Sequence, residues 1–143
     1  MIDFQTDSVE MPDIDEKLVC RWLNAVAASY EKIVGNLCYR FCSDDVILET
    51  NRQFLQHDYY TDVITFDYSL GRKVGGDVLI SLDTVASNAE GLGVAYGREL
   101  LRVIVHGLLH LCGEKDKAPG EREKMEAAEN RALDLYDELK SAL

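Results

Sequence analysis

Positive charge is scarce in this chain: 15 Lys and Arg face 26 Asp and Glu, for a formal net charge of −11 over 143 residues. Nonspecific nucleic-acid binding runs on basic side chains neutralising phosphates, so the balance argues against that mode while leaving room for a local basic cleft. Long apolar runs are missing as well. Nothing approaches the roughly 18 apolar residues of a membrane span. The opening stretch MIDFQTDSVEMPDIDE is acidic and lacks the apolar centre of a signal peptide. The expected address is the cytoplasm. None of the four cysteines, Cys20, Cys38, Cys42 and Cys112, forms a CxxC pair. That disfavours a zinc knuckle or disulfide frame and points to reduced, buried thiols. SLGRKVGG lacks the Lys-Ser/Thr ending of a phosphate-binding loop, and no serine nucleophile elbow is present. Repeats, low-complexity tracts and linkers are also missing, which leaves one domain over residues 1–143, long enough for a single core.

What is present alternates between helix and strand patterns. Residues 13–30 read as a helix, with Val19, Trp22, Leu23, Val26 and Tyr30 at helical spacing and Asp13 or Asp15 as the cap. LCYRFC (37–42) is a short strand candidate. Ser43-Asp44-Asp45 opens a second helix with VILETNRQFL as its body, and HDYY breaks it. The β-branched and aromatic VITFDY (63–68) and DVLISL (77–82) are strands, joined by the turn-rich SLGRKVGG. A helix follows from Asp83 to about Glu90, and glycines 91, 93 and 97 loosen the chain before the next. RELLRVIVHGLLHLC (98–112) is apolar almost all round and is expected to be buried, with Gly113 ending it. The last helix places Met125, Ala128, Ala132, Leu135 and Leu139 on one face. Its charged run, seven acids against four bases in residues 121–143, reads as a solvated surface. The expectation is an α/β (α+β) fold, with a mixed central sheet of about four strands and helices packed on it.

Histidine is rare, with three in the chain, yet His106 and His110 sit four apart inside the most apolar segment. At i and i+4 both rings leave one helix face a turn apart, a separation that one zinc ion bridges with bonds of about 2.0–2.1 Å. Gly113 lets the chain turn back, and Asp116 arrives ten residues after His106 as a third ligand. The arithmetic is that of the metzincin pattern HExxHxxGxxH, with both histidines and the glycine in place and Asp at the third-ligand position, but at the second position the metalloprotease has its general-base Glu and this chain has Gly107. A protease reading therefore loses its base. Three protein ligands leave a fourth position for a metal-bound water, the layout of a catalytic centre and of metal-assisted hydrolysis. Burying two imidazoles without partners would cost on the order of 1–3 kcal/mol each, which weighs against reading them as ordinary core residues.

These residues carry a resemblance. RELLRVIVHGLLHLCGEKD is similar to the signature HGxLHLxGYDH of the YbeY family of metal-dependent endoribonucleases, also called rRNA maturation factors. YYTDVITF (59–66) resembles the family's PTDVLSF, and GGDVLIS (75–81) its GDIxIS, in the same order and spacing. The likeness covers roughly residues 40–135. It implies a mixed α/β fold with one zinc per chain beside the sheet, or nickel or another divalent metal in its place, held by His106, His110 and Asp116. It further implies cleavage of single-stranded RNA in small-subunit (16S) rRNA 3′-end maturation and ribosome quality control. The implied partners are rRNA and ribosomal particles, with neither membrane nor DNA. Three positions depart from the family pattern. Asp116 stands where the family usually has His, Leu55 where it has a basic residue, and Tyr60 where it has Pro. Arg52, His57 or Arg40 are candidate replacements for the missing basic side chain.

Arg98, two turns before His106, is a candidate catalytic and substrate-binding residue, as a fork donor to phosphate. Arg102, one turn before His106, is a second substrate-binding candidate. For each, a salt bridge to a nearby acid is the competing role. Thr61 and Asp62 read as turn or cap residues. Asp77 is either structural or the acceptor of a ligating histidine's free N–H. His57 is a surface residue or an alternative ligand. Two other functions fit the same residues: a noncatalytic, metal-stabilised ribosome-assembly factor, or a metallohydrolase of another substrate class.

Overall fold

The computed structural model describes residues 1–55 and 61–143. Strands β1 (Ile2–Asp7), β2 (Ile33–Cys42), β3 (Val63–Asp67) and β4 (Lys73–Ser81) form one sheet in the order β1-β2-β4-β3. β1 and β4 run parallel to β2, and β3 runs antiparallel to β4 at the edge. Helices α1 (Glu16–Ser29), α2 (Asp44–Thr50), α3 (Leu82–Leu92), α4 (Tyr96–Leu111) and α5 (Glu121–Ser141) complete the domain. A single π turn, Asn51–Leu55, extends α2. The expected α/β architecture and four-stranded mixed sheet are what the chain forms.

Alternation along the strands divides the interior. Leu37, Tyr39 and Phe41 of β2, with Val78 and Ile80 of β4, face one side and join the main core built with α1, α4 and α5. Cys42 and Ile64 face the other side, where Ile47 of α2 packs on them in a smaller cluster. Two buried side-chain bonds tie helices to this frame: Trp22 Nε1–H donates to the Ala132 carbonyl at 2.6 Å, and the Tyr39 hydroxyl donates to the Ile104 carbonyl at 2.8 Å. The α1 cap is Asp15, whose carboxylate accepts from the Leu18 N–H.

Several boundaries differ from the sequence reading, and β2 begins at Ile33, four residues before the 37–42 strand candidate. β1 was not expected: its stretch is mostly polar, and its period-two signal is confined to Ile2 and Phe4, which pack at the core margin. β4 begins at Lys73, inside the stretch read as a turn. Gly75 and Gly76 belong to the strand because a Cβ on Gly76 would lie 2.1 Å from the Phe66 carbonyl oxygen of the paired strand. α4 begins two residues earlier, taking Gly97 into its first turn. Tyr60 and His57 lie outside the described residues, as does the side chain of Leu55.

Candidate metal centre

α4 lies against the sheet because ten of its sixteen residues are buried. It packs closely on the sheet at Gly107, where a Cβ would sit 2.8 Å from Val78 Cγ1. The position occupied by Glu in the metalloprotease pattern thus points into the core, where a carboxylate would have no water to activate. On the opposite, half-exposed stripe stand Arg98, Arg102, His106 and His110, each four residues from the next.

The helix ends in a Schellman motif. Gly113, at φ 105°, takes the left-handed conformation, its N–H donates to the His110 carbonyl, and the Glu114 N–H reaches back to Leu109 at 2.9 Å. This reversal carries Asp116 back over the two rings. Asp116 Oδ2 lies 3.5 Å from His106 Nε2 and 3.5 Å from His110 Nε2. One ligand atom from each residue fits within 4.8 Å of the others.

The ring tautomers follow from the acceptors on the far side. Glu129 Oε2 is 2.5 Å from His106 Nδ1, and the Glu114 carbonyl oxygen is 3.0 Å from His110 Nδ1. A carboxylate and a carbonyl can only accept, so each Nδ1 carries a hydrogen and donates it. In the neutral rings both Nε2 atoms then present lone pairs to the Asp116 carboxylate. Burial and the neighbouring His106 hold the His110 pKa below its ordinary value, favouring that neutral form. The 3.5 Å separations exceed the 2.7–3.2 Å of a hydrogen bond. They match two ligands of one ion, since donors on a tetrahedral centre with bonds of about 2.0–2.1 Å stand roughly 3.3 Å apart. Three acceptors converging on one point can hold a cation between them, and the donor set of two imidazoles and one carboxylate suits a divalent metal.

Behind His106 lies a network that sequence reasoning missed. Glu129, on α5, is buried and holds both His106 and Arg102, whose Nη1 is 3.1 Å away. Arg102 also donates from Nε to Glu99 Oε1 at 2.8 Å and from Nη2 to Glu99 Oε2, and Glu99 is buried too. With carboxylates on both sides its pKa is raised, chiefly by the Glu99 bonds. The acidic run of α5 is therefore not wholly a solvated face. The available signal was position: Glu129 falls on the buried stripe of Met125, Ala132 and Tyr136, where a core residue is expected. Glu129, not Asp77, accepts the free N–H of His106. Asp77 lies on the other sheet face, lining a cavity with Cys38, Arg40 and Phe66. Asp62, just before β3, does more than a turn or cap residue would. It is 3.9 Å from Arg102 Nη2, accepts weakly from Asn88, and its pKa is raised, mainly by burial.

Arg98 is not brought to the centre. Successive i+4 positions drift by roughly 40° around a helix, so two steps turn Arg98 toward α5, where it forms a forked pair with Asp137 at 2.8 and 3.0 Å. There Arg98 lines a cavity with Leu18 and Tyr136 that holds neither histidine. Arg102 reaches the centre through Glu129, with its guanidinium already occupied by carboxylates. Arg40 donates to Gln5 and lines the cavity on the far sheet face.

Fold and site together define an α/β domain with an open cluster of two histidines and an aspartate that could hold a metal ion. Comparison with known proteins makes this specific. The family model for endoribonuclease YbeY matches residues 1–137. An endoribonuclease YbeY of Phocaeicola vulgatus is 64% identical over 135 residues, spanning 94% of this chain and 98% of that one. That of Bacteroides thetaiotaomicron is 60% identical over 132 residues, with 92% and 96% covered. A solution structure of TM1509 from Thermotoga maritima superposes with a TM-score of 0.64 at 26% identity, covering 99% of this chain and 93% of that one. The chain belongs to the endoribonuclease YbeY family.

Proposed function

We propose that this protein is a zinc-dependent endoribonuclease that cuts single-stranded RNA, acting in the cytoplasm on rRNA and ribosomal particles during small-subunit 3′-end maturation and ribosome quality control. Family membership supports the activity. The observation that carries the site assignment is the convergence of two Nε2 lone pairs and the Asp116 carboxylate at 3.5 Å, with both Nδ1 hydrogens already committed elsewhere.

His106, His110 and Asp116 hold the ion. When bound, a divalent metal of this kind supplies Lewis acidity to a phosphate ester and lowers the pKa of water toward about 7. The chain's own residues do the rest. Glu129 fixes the plane and tautomer of His106, raising the basicity of its Nε2, and the Glu114 carbonyl does the same for His110. Gly107 lets α4 settle on Val78, where a Cβ would lie 2.8 Å from Val78 Cγ1. Asn51, Thr61 and Thr65 line the cavity in front of the rings.

The test is elemental analysis of untagged protein beside RNA cleavage. The wild type is expected to hold near one zinc per chain. Asp116→Ala is expected to lose it and to lose cleavage while keeping its fold by circular dichroism. Full cleavage by a folded, zinc-free Asp116→Ala protein would overturn the assignment.

A further inference from the structure

The centre opens to both sides. One cavity runs along β3, past Thr65 and Asp67, to His110 and Lys117. A second runs between α3, α4 and α5, past Asn88, Arg122 and Asn130. The two share three residues, and these are Asp62, His106 and Asp116. A site closed on one side would accept a chain end. A site at the junction of two openings accepts the middle of a strand, because the strand must leave it in both directions.

Each opening also carries one exposed cation. Lys117 lines the first cavity and Arg122 the second, and neither has an ion-pair partner among the described residues. The other arginines weighed for phosphate are already engaged: Arg102 also lines the second cavity but is held by Glu99 and Glu129, Arg98 by Asp137, Arg40 lies on the opposite sheet face, and Arg52 has a partner of its own. Lys117 and Arg122 both follow Asp116 closely in the chain, one beside it and one in the first turn of α5, so the segment that supplies the third ligand also supplies a cation to each side. Glu129, the buried acid of the second cavity, is already held by His106 and Arg102. In a protein of net charge −11, two unpaired cations flanking the centre are the local basic contacts that a polyanion needs.

We propose that a single RNA strand crosses the centre from one cavity to the other, with Lys117 and Arg122 each holding a backbone phosphate on opposite sides of the scissile one. This rests on the nuclease reading above and adds to it the path of the substrate and the two side chains that set it.

Salt dependence tests the contacts one by one, since each phosphate neutralised in a single strand contributes about 0.7 to the slope of log affinity against log salt. Binding of a labelled 2′-O-methyl oligonucleotide by fluorescence anisotropy, on metal-loaded protein, is expected to show slopes shallower by about 0.7 in Lys117→Ala and in Arg122→Ala, and by about 1.4 in the double variant. Lys117→Arg, Arg122→Lys and the distant Lys17→Ala are expected to keep the wild-type slope. Cleavage of oligoribonucleotides carrying a methylphosphonate on one side of the cut separates the two ends. One alanine variant should become insensitive to neutralisation upstream, the other to neutralisation downstream. Wild-type protein that binds and cuts RNA while both alanine variants keep its slope, or in which both respond to the same side, overturns the track alone. Wild-type protein that neither binds nor cuts overturns the nuclease reading and the track with it.

Discussion

His106 and His110 lie one helical turn apart and face the same carboxylate, yet they are held by different means. His106 is oriented by a side chain from a distant helix, Glu129, itself clamped by Arg102 and through it coupled to Glu99. His110 is oriented by a main-chain carbonyl four residues on, delivered by the Schellman turn at the end of its own helix. One support can be removed by point mutation and depends on packing of α4 against α5. The other is local backbone that no side-chain change deletes directly. The sensitivity of the centre to mutation should therefore be lopsided, concentrated on the His106 side.

Arg102→Met should strike that side hardest. It leaves Glu99 and Glu129 buried without their partner, and breaking such a pair costs about 3–5 kcal/mol. Urea denaturation should show a loss of that order at neutral pH. A loss below about 1 kcal/mol would mean that the network is solvated and not load-sharing. Glu129→Gln keeps the volume but weakens the acceptor, and loss of such a partner typically lowers metal affinity 10- to 100-fold. Competition with a chromogenic chelator would measure it, and wild-type affinity in this variant would dissolve the asymmetry. Glu114→Ala removes a buried carboxylate that accepts from Tyr30 at 2.7 Å but keeps the carbonyl that holds His110. Stability should fall by about 1–3 kcal/mol, with metal affinity changed less than 3-fold by the same chelator competition, roughly 0.65 kcal/mol or less. The Tyr30 pKa, now pushed up to about 12 chiefly by burial and next by the Glu114 bond, should drop toward its ordinary value in a spectrophotometric titration. Asp137→Ala should matter least. It frees Arg98 from a forked but half-exposed pair, and such pairs contribute about 0.2–1 kcal/mol. RNA cleavage should stay near the wild-type rate.

The same lopsidedness governs what the chain discloses when read as a string. The His110 side is local. The i,i+4 histidines, the glycine stop and an acid ten residues after His106 are all within eleven positions, and helix geometry with the reversal at Gly113 brings them to one point. The His106 support spans 23 residues of sequence and two helices, and the acid concerned hides in a run whose other members are mostly solvated. Arg98 shows the converse limit. Its spacing placed it in register with the histidines, but an α-helix does not repeat every four residues, and the accumulated drift hands it to Asp137. β1 was hidden for a related reason. An edge strand gains its place by pairing with β2 along its backbone, which needs no strong side-chain pattern.

The sequence by itself determined the mixed α/β class, the buried helix, the three converging side chains and the missing protease base at Gly107, because each follows from short-range periodicity or from a glycine's lack of a side chain. Tertiary structure alone decided that Glu129 would orient His106, that Arg102 would be spent on carboxylates, and that two cavities would meet at His106 and Asp116. Those facts depend on how α5 lies against α4 and how β3 borders the site, and a packing geometry set by many distant contacts leaves no local mark in the chain.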